Sequence, residues 1–270
     1  MDIRHIRPKT LLNKGTGYLS GYHFSLNPYV GCAYGCSYCY VRALPVSLYR
    51  NGEWGSWVDV KQDGAELLRK ELRRAKARGP VTVFFSSGTD PYQPVEAKER
   101  VTRSFLEVMA EEPPDFLLVQ TRSPLVLRDV DLLLRLGKNV RVSMTVETDR
   151  EDMRKAFTPQ APPLKARFRA LEKLKEAGVP TQATVAPMLP HTDRFPERLS
   201  AVSDRVCVDD FFMGDGSGGK RTQRLNVPRI FAQLGLSEWY RPDAYLRLVE
   251  RLAHYFPKER ILVGRDGFLP

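Results

Sequence analysis

Short runs of β-branched and aromatic residues alternate along the chain with stretches whose apolar residues recur every three to four positions. Runs of the first kind predict strands over residues 22–30, 81–86, 116–121, 140–146, 181–187 and 205–212. Stretches of the second kind predict helices between them. Residues 62–78 place Ala65, Leu68, Leu72 and Ala75 on one face and stop at Gly79-Pro80. Residues 164–177 repeat the pattern with Leu164, Phe168, Leu171 and Leu174, stopped by Gly178 and Pro180. Further helices are expected near 95–110 with Val101, Phe105, Val108 and Met109, near the Leu-rich 127–136, and over 242–255 with Leu246, Val249 and Leu252. Trp54 and Trp57 flank a small insertion near 49–60, expected to pack over the first helix. Six strand–helix units argue for an α/β fold built on a parallel sheet. No internal repeat goes beyond this alternation, and the Pro-rich stretches at 158–163 and 187–196 are too short to separate domains. The expectation is one domain over 1–270, with a core of about 20–215 and a helical extension over about 222–270.

Length and composition narrow the class. At 42% hydrophobic, 270 residues suffice for one large α/β domain. With 27% charged residues, no apolar run approaches the roughly 20 residues of a membrane helix, so no membrane role is expected. The N-terminus, Met1-Asp2-Ile3-Arg4-His5-Ile6-Arg7-Pro8, carries charge where a signal peptide is apolar, which predicts a cytoplasmic protein. Lys and Arg outnumber Asp and Glu by 42 to 32, a net charge of +10. Such an excess suits an anionic partner, nucleic acid or a phosphorylated molecule, and equally a solvated basic surface.

The cysteines say more. Cys32, Cys36 and Cys39 lie within eight residues, while Cys207 stands far downstream. A disulfide framework disperses an even number of cysteines through a short secreted chain. A tight odd cluster points instead to a metal or redox group. The spacing C-x3-C-x2-C differs from the paired C-x2-C of a zinc ribbon, and His23 lies nine residues before Cys32. Three thiolates on one short loop suit a [4Fe–4S] cluster with one open iron. Such clusters generally take four cysteines, so the triad implies an exogenous ligand or Cys207. A zinc site, or small side chains buried together by coincidence, is the competing reading. Gly31 and Gly35 suit a loop that bends sharply around a cluster.

The run Cys32-Ala33-Tyr34-Gly35-Cys36-Ser37-Tyr38-Cys39 resembles the C-x3-C-x-aromatic-C signature of the radical S-adenosylmethionine (SAM) superfamily. Asn27-Pro28-Tyr29-Val30-Gly31, Cys39-Tyr40, Gly88-Thr89-Asp90-Pro91-Tyr92-Gln93-Pro94 and Thr121-Arg122-Ser123-Pro124 resemble its spore photoproduct lyase-like branch. The similarity runs from about residue 10 to the C-terminus. The resemblance implies a partial (β/α)6 TIM-like barrel and a [4Fe–4S] cluster on Cys32, Cys36 and Cys39. It implies that the open iron binds SAM, which is cleaved reductively to a 5′-deoxyadenosyl radical that abstracts hydrogen from a substrate. An electron donor such as flavodoxin or ferredoxin is then needed. In the resembled family, chemistry sits where loops converge at the strand ends. The second-strand loop with Ser87, Thr89 and Asp90 would contact the methionine portion of SAM. Arg122 would pair with its carboxylate, Ser143 would bond its ribose or carboxylate, and Tyr38 would border its adenine. The competing reading makes each a polar loop residue, with Thr89 and Asp90 capping the helix near 95.

The resemblance also has a gap. Spore photoproduct lyases carry a catalytic cysteine at the end of the second strand, whereas the matching stretch here, Phe84-Phe85-Ser86-Ser87, has no thiol. A hydroxyl O–H bond is much stronger than a thiol S–H bond, so serine donates hydrogen poorly to carbon radicals. The remaining catalytic candidates are Cys207, Tyr40 and Tyr92, each of which also reads as core or wall packing. Residues 214–221 match G-x4-G-K, but Arg221 stands where a phosphate-binding loop needs Ser or Thr for magnesium. A flexible basic loop over the barrel mouth is expected instead, offering Lys220, Arg221 and Arg224 to an anionic substrate, nucleic acid included. The alternative to a radical enzyme is a nucleic-acid-binding protein with a structural, coordinatively closed cluster.

Overall fold

The computed structural model describes residues 1–214 and 217–270. Its strands, in chain order, are β1 (Asp2–Ile6), β2 (Asn13–Lys14), β3 (Phe24–Leu26), β4 (Tyr29–Val30), β5 (Trp57–Lys61), β6 (Thr82–Phe85), β7 (Phe116–Thr121), β8 (Val140–Thr145), β9 (Thr181–Val185), β10 (Val206–Val208) and β11 (Ile261–Val263). The helices are α1 (Pro45–Leu48), α2 (Ala65–Lys76), α3 (Glu96–Glu99), α4 (Val101–Glu111), α5 (Val130–Leu136), α6 (Glu151–Phe157), α7 (Leu164–Glu176), α8 (Phe195–Val202), α9 (Lys220–Arg224), α10 (Val227–Gln233) and α11 (Ala244–Leu252).

Eight strands form one sheet in the order β11-β10-β9-β8-β7-β6-β3-β2. Every pairing in it is parallel except β2 with β3. Each parallel step from β6 to β10 is bridged by a helical crossover, so the sheet curls into an open, partial barrel. The run expected over 22–30 divides at Asn27-Pro28, where proline lacks the N–H a ladder needs. β3 stays in the barrel, while β4 joins β5 and β1 in a separate three-stranded sheet. The expected helical extension also contributes a strand, because β11 pairs with β10.

Strand periodicity gives the barrel sheet two faces. Val83, Phe85, Leu117, Val119, Val142, Met144, Ala183 and Val185 face outward into the core shared with the helices. The alternate residues Phe84 and Leu118, with Cys207, Tyr22 and Phe268, form an apolar plug inside the barrel. Further inner positions are polar and satisfy one another. Ser143 and Thr184 share a hydrogen bond of 2.6 Å, and Gln182 donates to Ser143, Thr184 and the carbonyl of Gly267.

Helices α2 and α7 bury the faces their periodicity predicts, Leu68 and Leu72 on one and Leu164, Phe168, Leu171 and Leu174 on the other. The helix expected near 95–110 is broken at Arg100, which adopts φ 54° between α3 and α4. In α11 the buried residues are Leu248 and Leu252, whereas Leu246 is exposed. Trp54 and Trp57 do not pack over the first helix. Trp57 begins β5, and both rings pack against the cysteine loop. Among the described residues, no helix is long and apolar enough to cross a membrane.

The two chain ends meet across the open side of the barrel. The Tyr18 hydroxyl donates to Asp209 Oδ2 at 2.9 Å, just beyond β10. Tyr22 donates to the carbonyl of Phe268, and Arg265 donates to the hydroxyl of Ser20 at 2.5 Å.

Candidate active site

The cysteine loop follows β4 and turns twice through glycines. Gly31 has φ 85°, and a Cβ there would come within 2.6 Å of the Trp57 carbonyl. Gly35 has φ 53° and abuts Gly55. Only glycine combines that backbone with so close an approach. The main chain closes on itself, with the Gly35 N–H donating to Cys32 O and the Cys39 N–H to Cys36 O. Arg42 straps the turn, donating to Gly35 O at 2.6 Å and Cys36 O at 2.8 Å. Cys32 and Cys36 are buried and Cys39 half-buried. Burial pushes all three upward in pKa, Cys39 to about 12; the neighbouring thiols add to it at Cys32 and Cys39, while Arg122 opposes it at Cys36. A positive partner is what would hold them ionised.

All three thiols line a chamber of about 700 Å³. It opens at the C-terminal ends of the barrel strands, where loops carry the chemistry of such folds. Tyr38, Tyr40, Ser87, Thr89, Asp90 and Arg122 also line it. Tyr40 donates to the Ser87 carbonyl at 2.6 Å, and the Thr89 hydroxyl donates to Gly31 O. The carboxylate of Asp90 accepts from the Tyr92 and Arg122 N–H groups at 2.9 Å each and from the Thr121 hydroxyl at 2.7 Å. Asp90 therefore ties the second-strand loop to the third. Neither it nor Thr89 caps the following helix, whose first residue is preceded by Val95 without a side-chain cap.

Arg122 lies against the thiol loop. Its Nη1 donates to Cys36 Sγ at 3.2 Å, to the Tyr38 hydroxyl at 3.1 Å and to Glu147 Oε1 at 2.6 Å. The Tyr38 hydroxyl donates to the same Glu147 oxygen at 2.6 Å. Glu147 Oε2 accepts from Arg167 Nη1 at 2.6 Å, and Arg167, on α7, has no solvent exposure. Burial alone would raise the Glu147 carboxyl, but Arg167, Arg122 and the Tyr38 hydroxyl bring it down to about 2. Glu147 stands at the polar end of the fourth strand's apolar run, as Arg122 does for the third, but no spacing picks out Arg167. Arg167 falls beside Phe168 on a face otherwise read as core, and the only hint is a charge at a buried helical position.

Three expected site residues lie elsewhere. Ser143 is in the polar interior of the barrel, bonded to Thr184, and does not line the chamber; Thr145, two residues along the same face, does. Tyr92 is fully buried in the helix–sheet core beside Asp129 and Glu96, with Arg128 over its ring. Cys207 belongs to the apolar plug, packed so closely against Gly267 that a Cβ there would overlap its sulfur. Of the catalytic candidates, Tyr40 alone lines the chamber. Tyr18, Asp209 and Gln120, which sequence reasoning did not single out, line it too. Where a flexible basic loop was expected, Lys220–Arg224 form the short helix α9, on which Arg221 lines the chamber while Lys220 and Arg224 are exposed; Asp215 and Gly216 lie outside the described residues.

Residues 26–199 match the family model described as Radical SAM superfamily. An uncharacterized protein of Methanocaldococcus jannaschii is 32% identical over 190 residues, 70% of this chain and 69% of that protein. A protein named radical SAM Nalpha-GlyT isomerase, from Pseudomonas phage M6, is 30% identical over 193 residues, covering 68% of this chain and 38% of its own length. Uncharacterized relatives from Acidianus two-tailed virus and Mycobacterium bovis are matched over 63% and 56% of their lengths. Spore photoproduct lyase complexed with dinucleoside spore photoproduct superposes with a TM-score of 0.66 over 97% of this chain and 81% of the other, at 16% identity. SuiB of Streptococcus suis bound to S-adenosylmethionine gives a TM-score of 0.51 over 78% and 44%, at 15% identity. At these identities the likeness to solved structures is one of fold.

Proposed function

The chain belongs to the Radical SAM superfamily and is an enzyme of it, and from that premise we propose that its chamber holds a [4Fe–4S] cluster on Cys32, Cys36 and Cys39 and cleaves SAM reductively. The donor set supports this reading. It consists of three soft sulfur ligands on one loop, with no imidazole or carboxylate among them. Among the described residues, no three His, Cys, Asp or Glu side chains converge as ligands of a single ion. The observation that carries the proposal is that the three thiols share one chamber, at the strand ends, with the Arg122 guanidinium.

The bound pair supplies an electron and a sulfonium whose cleavage gives a 5′-deoxyadenosyl radical able to abstract hydrogen from a substrate. The chain's own residues position and enclose. Arg122 uses Nη1 for its protein contacts, leaving the other edge of the guanidinium to face the SAM carboxylate. Tyr38 borders the adenine. Ser87 and the backbone of the Thr89–Asp90 turn take the methionine portion, because the Thr89 hydroxyl and the Asp90 carboxylate are engaged within the loops. Thr145 stands where Ser143 was expected. Val41, Leu44, Trp54 and Phe211 give the chamber an apolar wall that excludes water from a radical. A flavodoxin- or ferredoxin-type donor delivers the electron. The substrate is an anionic molecule, with nucleic acid favoured by the net charge of +10 and by Arg221 at the chamber wall. A solved structure of the same fold is complexed with a dinucleoside, which supports the same reading. Among the described residues, no chamber-lining thiol is available for hydrogen return apart from the three proposed ligands, and of the three residues expected as catalytic only the Tyr40 phenol lines the chamber.

The test is the yield of 5′-deoxyadenosine after anaerobic cluster reconstitution with SAM and dithionite, beside a Cys36→Ala control. Product from the native chain and none from the control is expected. A native chain that holds four irons, binds no SAM and makes no product would point to a closed structural cluster and end the radical reading.

A further inference from the structure

Arg122, Glu147 and Arg167 form a buried chain of alternating charge that ends on a proposed iron ligand. Arg167 Nη1 donates to Glu147 Oε2 at 2.6 Å, Glu147 Oε1 accepts from Arg122 Nη1 at 2.6 Å, and that nitrogen lies 3.2 Å from Cys36 Sγ. Arg167 is further fixed by donating to the carbonyls of Pro162 at 2.9 Å and Thr145 at 3.3 Å. Glu147 is 1% exposed and Arg167 0%. Burying three charges in this way is costly unless their geometry is enforced, and two guanidiniums against one carboxylate leave one positive charge uncompensated within the chain.

We propose that Glu147 and Arg167 are positioning residues that hold the Arg122 guanidinium against Cys36 and, with it, set the charge felt by the cluster and the pose of the SAM carboxylate. This rests on the cluster assignment made above. A flexible arginine at the chamber wall has many rotamers, most of them pointing away from sulfur, and ordering it costs side-chain entropy. Glu147 removes that freedom because it is itself clamped from behind by Arg167. Hydrogen bonds to cluster sulfurs and nearby net charge are what a protein uses to tune cluster potential. The reduced cluster carries one more negative charge than the oxidised one, so positive charge nearby favours reduction.

The opposite charges of the pair give a test that packing alone does not satisfy. In reconstituted protein, the cluster midpoint potential is read by spectroelectrochemical titration and SAM affinity by anaerobic calorimetry. Glu147→Gln removes a negative charge and Arg167→Met a positive one, yet both release the Arg122 guanidinium from Cys36 and should lower the midpoint. Both should weaken SAM binding by about 10- to 100-fold, since both free Arg122. Tyr38→Phe keeps the ion pairs and loses the shared hydroxyl, and should weaken SAM binding less than either. Midpoints unmoved, or moved in opposite directions as the removed charges alone would dictate, would overturn the proposal. Where either variant fails to hold iron, Tyr38→Phe decides: native SAM affinity and midpoint in that variant would overturn it equally. A native chain that takes up no iron and sulfide would instead defeat the cluster assignment, an outcome distinct from loaded variants that keep the native midpoint and SAM affinity.

Discussion

Glu147 shows how one carboxylate can tie two guanidiniums to a thiol loop. Held at about 2 in the folded chain against an ordinary value near 4.5, it contributes stability that is fully present above pH 4.5 and lost as the pH falls toward 2. Urea unfolding of the native chain should therefore weaken between pH 4.5 and about pH 3 more steeply than that of Glu147→Gln, and parallel acid profiles would contradict the assignment. Cys207 teaches the opposite lesson. Its thiol is pushed well up by burial, and the sulfur is sealed beneath Gly267 and Phe268. Cys207→Ala should leave the rate of 5′-deoxyadenosine formation unchanged and cost about 1 kcal/mol of stability through poorer packing, read from denaturant midpoints. A tenfold loss of product with the fold intact would return Cys207 to the chemistry.

At the scale of elements, the cysteine loop depends on its neighbours more than on its own residues. It is strapped by Arg42, floored by the Trp54 and Trp57 rings, and pinned to α6 by the Ser37 N–H donating to the Phe157 carbonyl at 2.9 Å. Gly31 is where this packing is tightest. Gly31→Ala adds a Cβ within 2.7 Å of the Trp57 ring at a φ of 85°, and should cost about 1–3 kcal/mol and reduce iron bound per chain after reconstitution. Native iron content in that variant would mean the loop is looser than its contacts indicate. The division of 22–30 into β3 and β4 belongs to the same scale. The proline that breaks the ladder sends the chain out of the barrel into the small sheet, and the cysteines follow directly from it.

Across the whole molecule, the barrel is open and its ends are clasped rather than paired. Tyr18 ties the N-terminal segment to the end of β10, and Tyr22 ties it to the C-terminal turn. Tyr18→Phe should cost about 1 kcal/mol and raise hydrogen exchange in residues 16–22 and 264–269 while leaving α2 and α7 protected. Uniform exchange across the chain would show that the clasp is not a local unit. The positive charge is also a whole-molecule property. If it guides a nucleic acid to the chamber, Lys220→Ala with Arg224→Ala should lower the slope of log affinity for single-stranded DNA against log salt by about 1.4, at about 0.7 for each phosphate no longer neutralised. An unchanged slope would place the binding surface elsewhere.

How much was legible follows from the range of each interaction. The α/β alternation, the outward core face of each strand, the amphipathic faces of α2 and α7, and the cysteine loop with its turning glycines all rest on spacings of a few residues, which the chain displays directly. The second-strand loop and Arg122 were legible for the same reason, each standing just past the end of an apolar run. Depth along the barrel was not. Ser143 and Thr145 share one face and similar chemistry, and only the stagger of the strands decides that the first is sealed with Thr184 while the second meets the chamber. Likewise Cys207 and Tyr92 look reactive as residue types, but packing encloses them, and Leu246 yields its expected burial to Leu248. Glu147 and Arg167 are 20 positions apart and meet only because α7 folds back over β8. Local pattern is enough to choose elements and supply reactive groups, because steric and hydrophobic periodicity act over one or two turns. Which of those groups face one another is decided by long-range packing, and here that decision built the charged chain behind Cys36.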